Sequence, residues 1–343
     1  MVWGPADLRR AIAEVQRARG QKVGKDDAMN ANEETVRALG EFGLIDSIVP
    51  AFTDTADVLV GTGDDAAQLV ADGSVLVSTD LMVDGRHFRR DWSSALDVGH
   101  KVAAANLADI AAMGGVATGL VVGLALPGDL TAAWVRDLAA GIAEELAEVG
   151  ATVVGGDVTD SDALVIAVTA LGRVEGSPVR RSGAQPGNVL ALAGRIGWAA
   201  AGLAVLGRGF RSPRVVVEAH RRPQPPYAAG PRARAEGATS MTDVSDGLLS
   251  DLGHVARASG VAIDVDSSVL EVAEPLQAVG AALGVDPVEF CLTGGDDHAL
   301  VATFADDVKL PSGWRRIGTV LEGSEVTVDG VVHEGAGGHR HFG

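Results

Sequence analysis

The stretch 98-VGHKVAAANLADIAAMGGVATGLVVGLALP-127 decides how the rest of the chain reads. Its first part, 98-VGHKVAAANLADIAAMG-114, has helical periodicity, and 120-LVVGLAL-126 is a β-type apolar run. Working outward, 75-VLVSTDL-81, 151-ATVV-154 and 163-ALVIAVTALG-172 read as further strands, and 131-TAAWVRDLAAGIAEELAEVG-150 reads as a second helix. That alternation predicts a mixed α/β first domain. The turn-rich 180-RRSGAQPGN-188 marks a boundary. It divides the chain into an N-terminal domain over 38–179 and a C-terminal domain over 180–343. Residues 1–37 precede both as an extension, with 8-LRRAIAEVQRARG-20 as a surface helix and 21–34 as a linker.

The second unit continues with 189-VLALAG-194, a small-residue helix 198-WAAAGLAVLG-207 and a Pro/Arg stretch over 212–234. Strand 239-TSMTDVS-245, helix 246-DGLLSDLGHVARASG-260, strand 261-VAIDVD-266 and short strands from Val301 to Val332 complete it. Several connections are too short for repeated βαβ crossovers, so the expected class is α/β followed by α+β layers.

Composition sets limits on function. A chain of 343 residues can bury two cores, and 47% hydrophobic with 22% charged residues is globular usage. Lys+Arg 28 against Asp+Glu 46 gives a net charge of −18, which argues against a nucleic-acid or anionic-membrane surface. An anionic ligand would need bridging cations. The single Cys291 excludes an internal disulfide and thiol zinc spacing, which fits a reducing, cytoplasmic setting. No apolar run reaches the roughly 18 residues of a membrane span.

Many carboxylates sit beside glycine where strands should end: 61-GTGDDAA-67, 78-STD-80, 106-NLADIAAMGG-115, 155-GGDVTD-160, 242-TDVSDG-247 and 294-GGDDHA-299. Each has a plain structural reading. Asp65 suits a turn, Asp80 the end of a strand, Asp157 a turn after Val154, and Asp246 a helix N-cap. Asp109 is harder to dismiss, because it shares a face with Asn106 in an apolar helix with no Lys or Arg within a turn. A buried carboxylate needs a partner, and a metal ion is the better account of it. Asp243 is likewise left over once Asp246 caps the helix, whose free N–H groups would seat phosphate oxygens.

Together these oxygen donors suit a hard divalent cation, magnesium rather than zinc, and several such ions make sense beside a polyphosphate. The Walker and protein-kinase glycine patterns do not occur. Arg180 and Arg181 can clamp phosphate or lie solvated at the surface. His87 follows Asp80 closely enough to share its cleft, while His100, His254 and His298 read as structural or surface residues. Cys291 reads as a small buried hydrophobe.

The ordered set LGEFGLID at 39–46, GDDAA at 63–67, STDLMVDGRHF at 78–88, GHKVAAANLADIAAMGG at 99–115, GGDVT at 155–159, RSGAQPG at 181–187, VSDGLLSDLGH at 244–254 and LTGGDDHAL at 292–300 resembles the thiamine-monophosphate kinase family. That family belongs to the aminoimidazole ribonucleotide synthetase-like superfamily. The resemblance implies a two-domain fold whose N-terminal sheet forms a homodimer, with ATP held by several Mg2+ ions. It implies metal positions at Asp65, Ser78, Thr79, Asp80, Asp109, Asp157, Asp243 and Asp246. Nucleotide contacts would be Gly156, Asp157, Arg181 and Ser245, and thiamine phosphate contacts His87, Asp296 and, near the C-terminus, Phe342. Asp296 stands where the family usually has Glu, and the N-terminal extension is a second departure.

The expected reaction is direct in-line transfer of the ATP γ-phosphoryl group to thiamine monophosphate, giving thiamine diphosphate. The acceptor oxygen is already ionised, so no catalytic base is expected; metals and Arg181 neutralise charge. Two alternatives remain. One is another ATP-dependent synthetase of the superfamily, and the other is a non-catalytic nucleotide or magnesium sensor.

Overall fold

The computed structural model describes residues 34–62, 67–71, 73–334 and 337–338; the helix expected at 8–20, Asp65 and Phe342 lie outside them. Helix α1 (Val36–Ile48) is capped by Thr35, whose hydroxyl accepts the Ala38 N–H at 3.2 Å. Strands β1 (Val58–Val60) and β2 (Gln68–Leu69) pair with each other. Then come β3 (Ser74–Val83), α2 (Ala95–Ala112), β4 (Val116–Leu126), α3 (Ala132–Ala147), β5 (Thr152–Asp160) and β6 (Val165–Val174). The last four strands form a sheet in the order β3-β6-β4-β5. Only β4 and β5 are parallel, and α3 supplies the crossover that a parallel pair requires.

The second half holds β7 (Val189–Ala193), α4 (Trp198–Gly207), α5 (Arg214–Arg221), α6 (Ala229–Ala235), β8 (Ser240–Val244), α7 (Leu248–Ser259) and β9 (Ala262–Val265). It continues through α8 (Glu274–Leu283), α9 (Val288–Thr293), β10 (Ala299–Phe304), β11 (Trp314–Leu321), β12 (Val326–Val328) and β13 (Val331–Val332). Its seven-stranded sheet runs β13-β12-β9-β11-β7-β10-β8. The Pro/Arg stretch at 212–234 is not irregular: α5 and α6 form within it, and Val216, Val217, Ala219 and Ala233 are buried. Helices α8 and α9 also lack a counterpart in the sequence reading.

Helix α2 is the element that both halves share. Ser94 and Asp97 close a reciprocal capping box at its start. Nearly all of its residues are buried, including Val98, Val102, Leu107 and Ile110 and the run of alanines between them. It lies on the four-stranded sheet, against α3 and against β8 of the other sheet. Small residues permit that crowding: a Cβ on Gly99 would meet the Leu138 carbonyl oxygen at 2.2 Å, and one on Gly230 of α6 would meet that of Ala111 at 1.9 Å. Strand β8 is an edge strand whose five residues are all buried, because α2 covers it.

Polar ties reinforce the contact. Asp97 accepts from Ser94 N–H and Oγ at 3.0 and 2.8 Å and from Arg222 Nε at 2.5 Å. Tyr227 donates to Glu145 at 2.6 Å, and Arg234 donates to the Gly114 carbonyl at 3.2 Å. Burial alone would raise the Asp97 carboxyl, but Ser94 and Arg222 hold it below its ordinary value. Asp97→Ala removes both the cap and the tie, and should cost about 2 kcal/mol at neutral pH, read as a lower thermal midpoint. A depressed carboxyl stabilises the fold above its unfolded pKa of about 3.9, and that contribution is lost as pH falls through the folded value. The wild-type and variant midpoints should therefore converge in strongly acidic buffer.

Candidate active site

A cavity of about 670 Å³ opens where α2 meets β8, lined by Ser78 and Asp80 of β3, Asp109 of α2, Asp243 and Ser245 at the end of β8, and Arg180 and Arg181 from the connecting segment. Strand alternation explains part of this lining. Ser78 and Asp80 share the face of β3 that looks toward α2, while Val75, Val77 and Leu81 on the other face are 53%, 64% and 61% exposed. Asp80 pairs with Val168 in mid-strand, so it does not end the strand. Thr79 falls on the outer face, its hydroxyl donating to the Val168 carbonyl at 3.0 Å and lying 3.1 Å from Thr169 Oγ1.

Three carboxylates crowd the cavity. Ser78 Oγ donates to Asp109 Oδ2. Burial, with Asp243 adding to it, pushes the Asp109 carboxyl up to about 7. Burial also raises Asp80; His298 opposes the shift and Asp243 adds to it. Asp243 is 3% exposed, and His298 Nδ1 lies 3.0 Å from its Oδ2. Like charges driven together in a site of low polarity call for a counter-ion. The metal-ligand types facing the cavity are hydroxyl and carboxylate oxygens, and of the two imidazoles that act on Asp80, His298 spends Nδ1 on Asp243 and His87 spends Nδ1 on the Val83 N–H. That donor set fits a hard divalent cation better than zinc.

The turn after β8 differs from the sequence reading. Gly247, not Asp246, is the N-cap of α7. The Asp251 carboxylate reaches back and accepts from the N–H groups of Ser245, Asp246 and Gly247 at 3.0, 3.1 and 3.1 Å. Of the helix-start amides that the sequence offered to phosphate, that of Gly247 is thus already satisfied within the protein. Burial, with Asp243 and Asp246 adding to it, pushes Asp251 up to about 7. Asp246, Asp251 and His254 present ligand atoms within 4.8 Å of one another, but Asp251 is committed to the turn.

Other predicted positions lie around or away from the cavity. His87 Nδ1 accepts the Val83 N–H at 3.0 Å, and the ring is near enough to Asp80 to favour its charged form. Arg181 Nε donates to Thr242 Oγ1 at 3.2 Å. Gly156 and Asp157 lie inside β5, which extends to Asp160, so Asp157 is a strand residue and not part of a turn. They are exposed on the far edge of the sheet, three strand spacings or about 14 Å across from β3. A Cβ at Gly156 would meet the Val122 carbonyl oxygen at 2.2 Å, so pairing with β4 is reason enough for glycine there. Asp296 Oδ2 is taken by Lys101 Nζ. Burial would raise this carboxyl, but Lys101, His220 and His298 draw it down to about 2. Cys291 is fully buried, its thiol 3.6 Å from the Ile196 carbonyl oxygen, and burial pushes it up to about 12.

Sequence reasoning missed Lys101, Asp251 and His298. Lys101 sits more than two turns from Asp109 and bonds across the halves. His298 meets Asp243 over 55 positions of sequence. The one usable signal was their presence inside stretches already singled out, 99–115, 244–254 and 292–300.

The family models for AIR synthase related protein match this chain twice, the N-terminal domain over residues 63–174 and the C-terminal domain over 185–330. Thiamine-monophosphate kinase of Mycobacterium tuberculosis is 47% identical over 323 residues, covering 93% of this chain and 96% of the relative. That of Corynebacterium glutamicum is 41% identical over 322 residues, covering 90% and 95%. The crystal structure of thiamine-monophosphate kinase from Stenotrophomonas maltophilia superposes with a TM-score of 0.75 at 33% identity, covering 84% of this chain and 96% of that one. AaThiL complexed with AMPPCP and TMP superposes at 0.74 with 29% identity, covering 89% and 97%. With both halves matched in order and close relatives aligned over almost their whole length, the chain belongs to the thiamine-monophosphate kinase family of AIR synthase related proteins.

Proposed function

We propose that this protein transfers the γ-phosphoryl group of ATP to thiamine monophosphate, forming thiamine diphosphate and ADP. The observation that carries the reading is the convergence of Asp80, Asp109 and Asp243, from two sheets and the helix between them, on one cavity beside Arg181. The units 38–179 and 180–343 would each contribute one wall. Ser78, Asp80, Asp109 and Asp243 would hold Mg2+ there, with Asp65, Thr79, Asp157 and Asp246 added by resemblance. Bound ions would supply positive charge to the phosphates of both substrates. Two unit anions about 4 Å apart repel by about 4 kcal/mol at an effective dielectric near 20, so neutralisation is the main task of the site.

The chain's own groups serve alignment. Arg181, fixed through Thr242, points a guanidinium at the cavity and would bind ATP with Ser245 and Gly156. His87, Asp296 and Phe342 would form the acceptor end. The acceptor is a phosphate monoester, ionised near neutral pH, so attack needs no base from the protein. A homodimer belongs to the same reading. The outer face of β3 and β4 exposes Val75, Val77, Leu81, Val116 and Val121, an apolar area suited to a second copy. Since β5 lies across the sheet from β3, Gly156 and Asp157 would join the site from that second copy. The buried, protonated Cys291 suits a cytoplasmic setting.

ADP release in the presence of Mg2+ should depend on thiamine monophosphate and match thiamine diphosphate formed, mole for mole; nucleotide binding without acceptor-dependent turnover would reject the reaction. Asp109→Asn should lower kcat by about a hundredfold or more. Its thermal midpoint should hold or rise, because the substitution removes a charge that burial disfavours. Val75→Asp combined with Leu81→Asp should convert a dimer to monomers in sedimentation velocity and abolish turnover; an active monomer would remove the second copy from the site.

A further inference from the structure

The 294-GGDDH-298 turn joins the two halves through charge. Lys101, 3% exposed at its side chain, projects from α2 into the C-terminal half, where its Nζ donates to Asp296 Oδ2 and to the His220 carbonyl, the latter at 3.1 Å. Asp296 Oδ1 lies 3.9 Å from His298 Nε2, and His298 Nδ1 lies 3.0 Å from Asp243 Oδ2. The turn is also strung along β8, with Asp296 N–H donating to the Ser245 carbonyl at 2.9 Å and His298 N–H to that of Val244 at 3.0 Å. Asp296 and His298 hold φ of 71° and 51°, two of the three positive-φ non-glycine residues among the described residues. Such backbone persists only where its surroundings over-determine it.

The path runs from the helix that carries Asp109 to Asp243; its middle step is a charge approach at 3.9 Å, not a hydrogen bond, between two residues that the backbone of the turn also joins. Lys101 and Asp109 are on one rigid helix, and Asp243 is at the other end of the relay. A buried lysine paired to a carboxylate is poor value as a stabilising device, since an apolar residue would serve as well or better. What the pair does supply is a fixed relation between α2 and β8. The geometry points to Lys101 as a positioning residue that, through Asp296 and His298, sets the orientation of Asp243 relative to Asp109 and so the strength with which the cavity holds divalent ions. This inference rests on the phosphotransferase reading for its meaning, but it can be tested without turnover.

The test uses the full chain with Mn2+ as probe, counted by electron paramagnetic resonance in the presence of a non-hydrolysable ATP analogue and without acceptor. Lys101→Met should weaken Mn2+ binding by about tenfold or more, the usual effect of losing an outer partner of a ligand. The double variant Lys101→Met with Asp296→Asn removes both charges of the pair, so that neither is left without its partner, and should fold if the single variant does not. It should show the same weakening. Mn2+ binding within twofold of wild type in either folded variant would overturn the proposal and leave Lys101 a merely structural residue. A wild-type protein that binds Mn2+ and nucleotide but forms no thiamine diphosphate would reject the reaction instead, with the Mn2+ comparison still deciding the role of Lys101.

Discussion

The structure depends on one helix being buried on nearly every side. Helix α2 has the four-stranded sheet on one flank, α3 on another, and the edge of the seven-stranded sheet against its remaining surface. That placement is possible because glycine stands at the closest approaches, as at Gly99 and Gly230, so backbones come to distances that larger side chains would forbid. The charged groups on the helix find partners in one half or the other, while Asn106, whose Nδ2 donates to the Val102 carbonyl, has no partner for Oδ1 among the described residues. Asp97 takes Arg222, Lys101 takes Asp296, and Asp109 takes Ser78. The chemistry of the cavity is therefore tied to the packing of the core.

Carboxylates are costly to bury in the cavity and in the turn beside it. Asp109 and Asp251 are both pushed up to about 7, with burial the first cause and Asp243 the second. A fold selected for stability alone would replace one of these with an amide. Of the two, only Asp109 lines the cavity, and under the proposed function its burial cost would be relieved by the positive charge of a bound ion. Asp251 shows how some of the load is carried meanwhile, since three backbone N–H groups converge on its Oδ2.

Much of this was legible in the sequence. The strands and helices from Val75 to Val174 alternate with periods that name their own type, and Asp109 announced itself as a carboxylate among alanines. Thr79 shows where motif reading and local physics part: alternation along β3 puts it on the face opposite Ser78 and Asp80. Asp157 likewise sits within an extended strand, because β5 continues through two glycines that would ordinarily end it. The relay from Lys101 to Asp243 could not be read, since it joins α2, the turn before β10 and β8, three segments far apart in sequence. Helix α5 was hidden by flanking prolines and arginines, yet the apolar Val216, Val217 and Ala219 within it point into the core.

The sealed position of Cys291 has a practical side. Its sulfur is out of reach of solvent, and it is the chain's sole thiol. Held in the neutral form by its surroundings, it is a poor nucleophile toward maleimides and iodoacetamides. A cysteine engineered onto either rim of the cleft would therefore take up a fluorophore or spin label by itself, and the native background would need no prior removal.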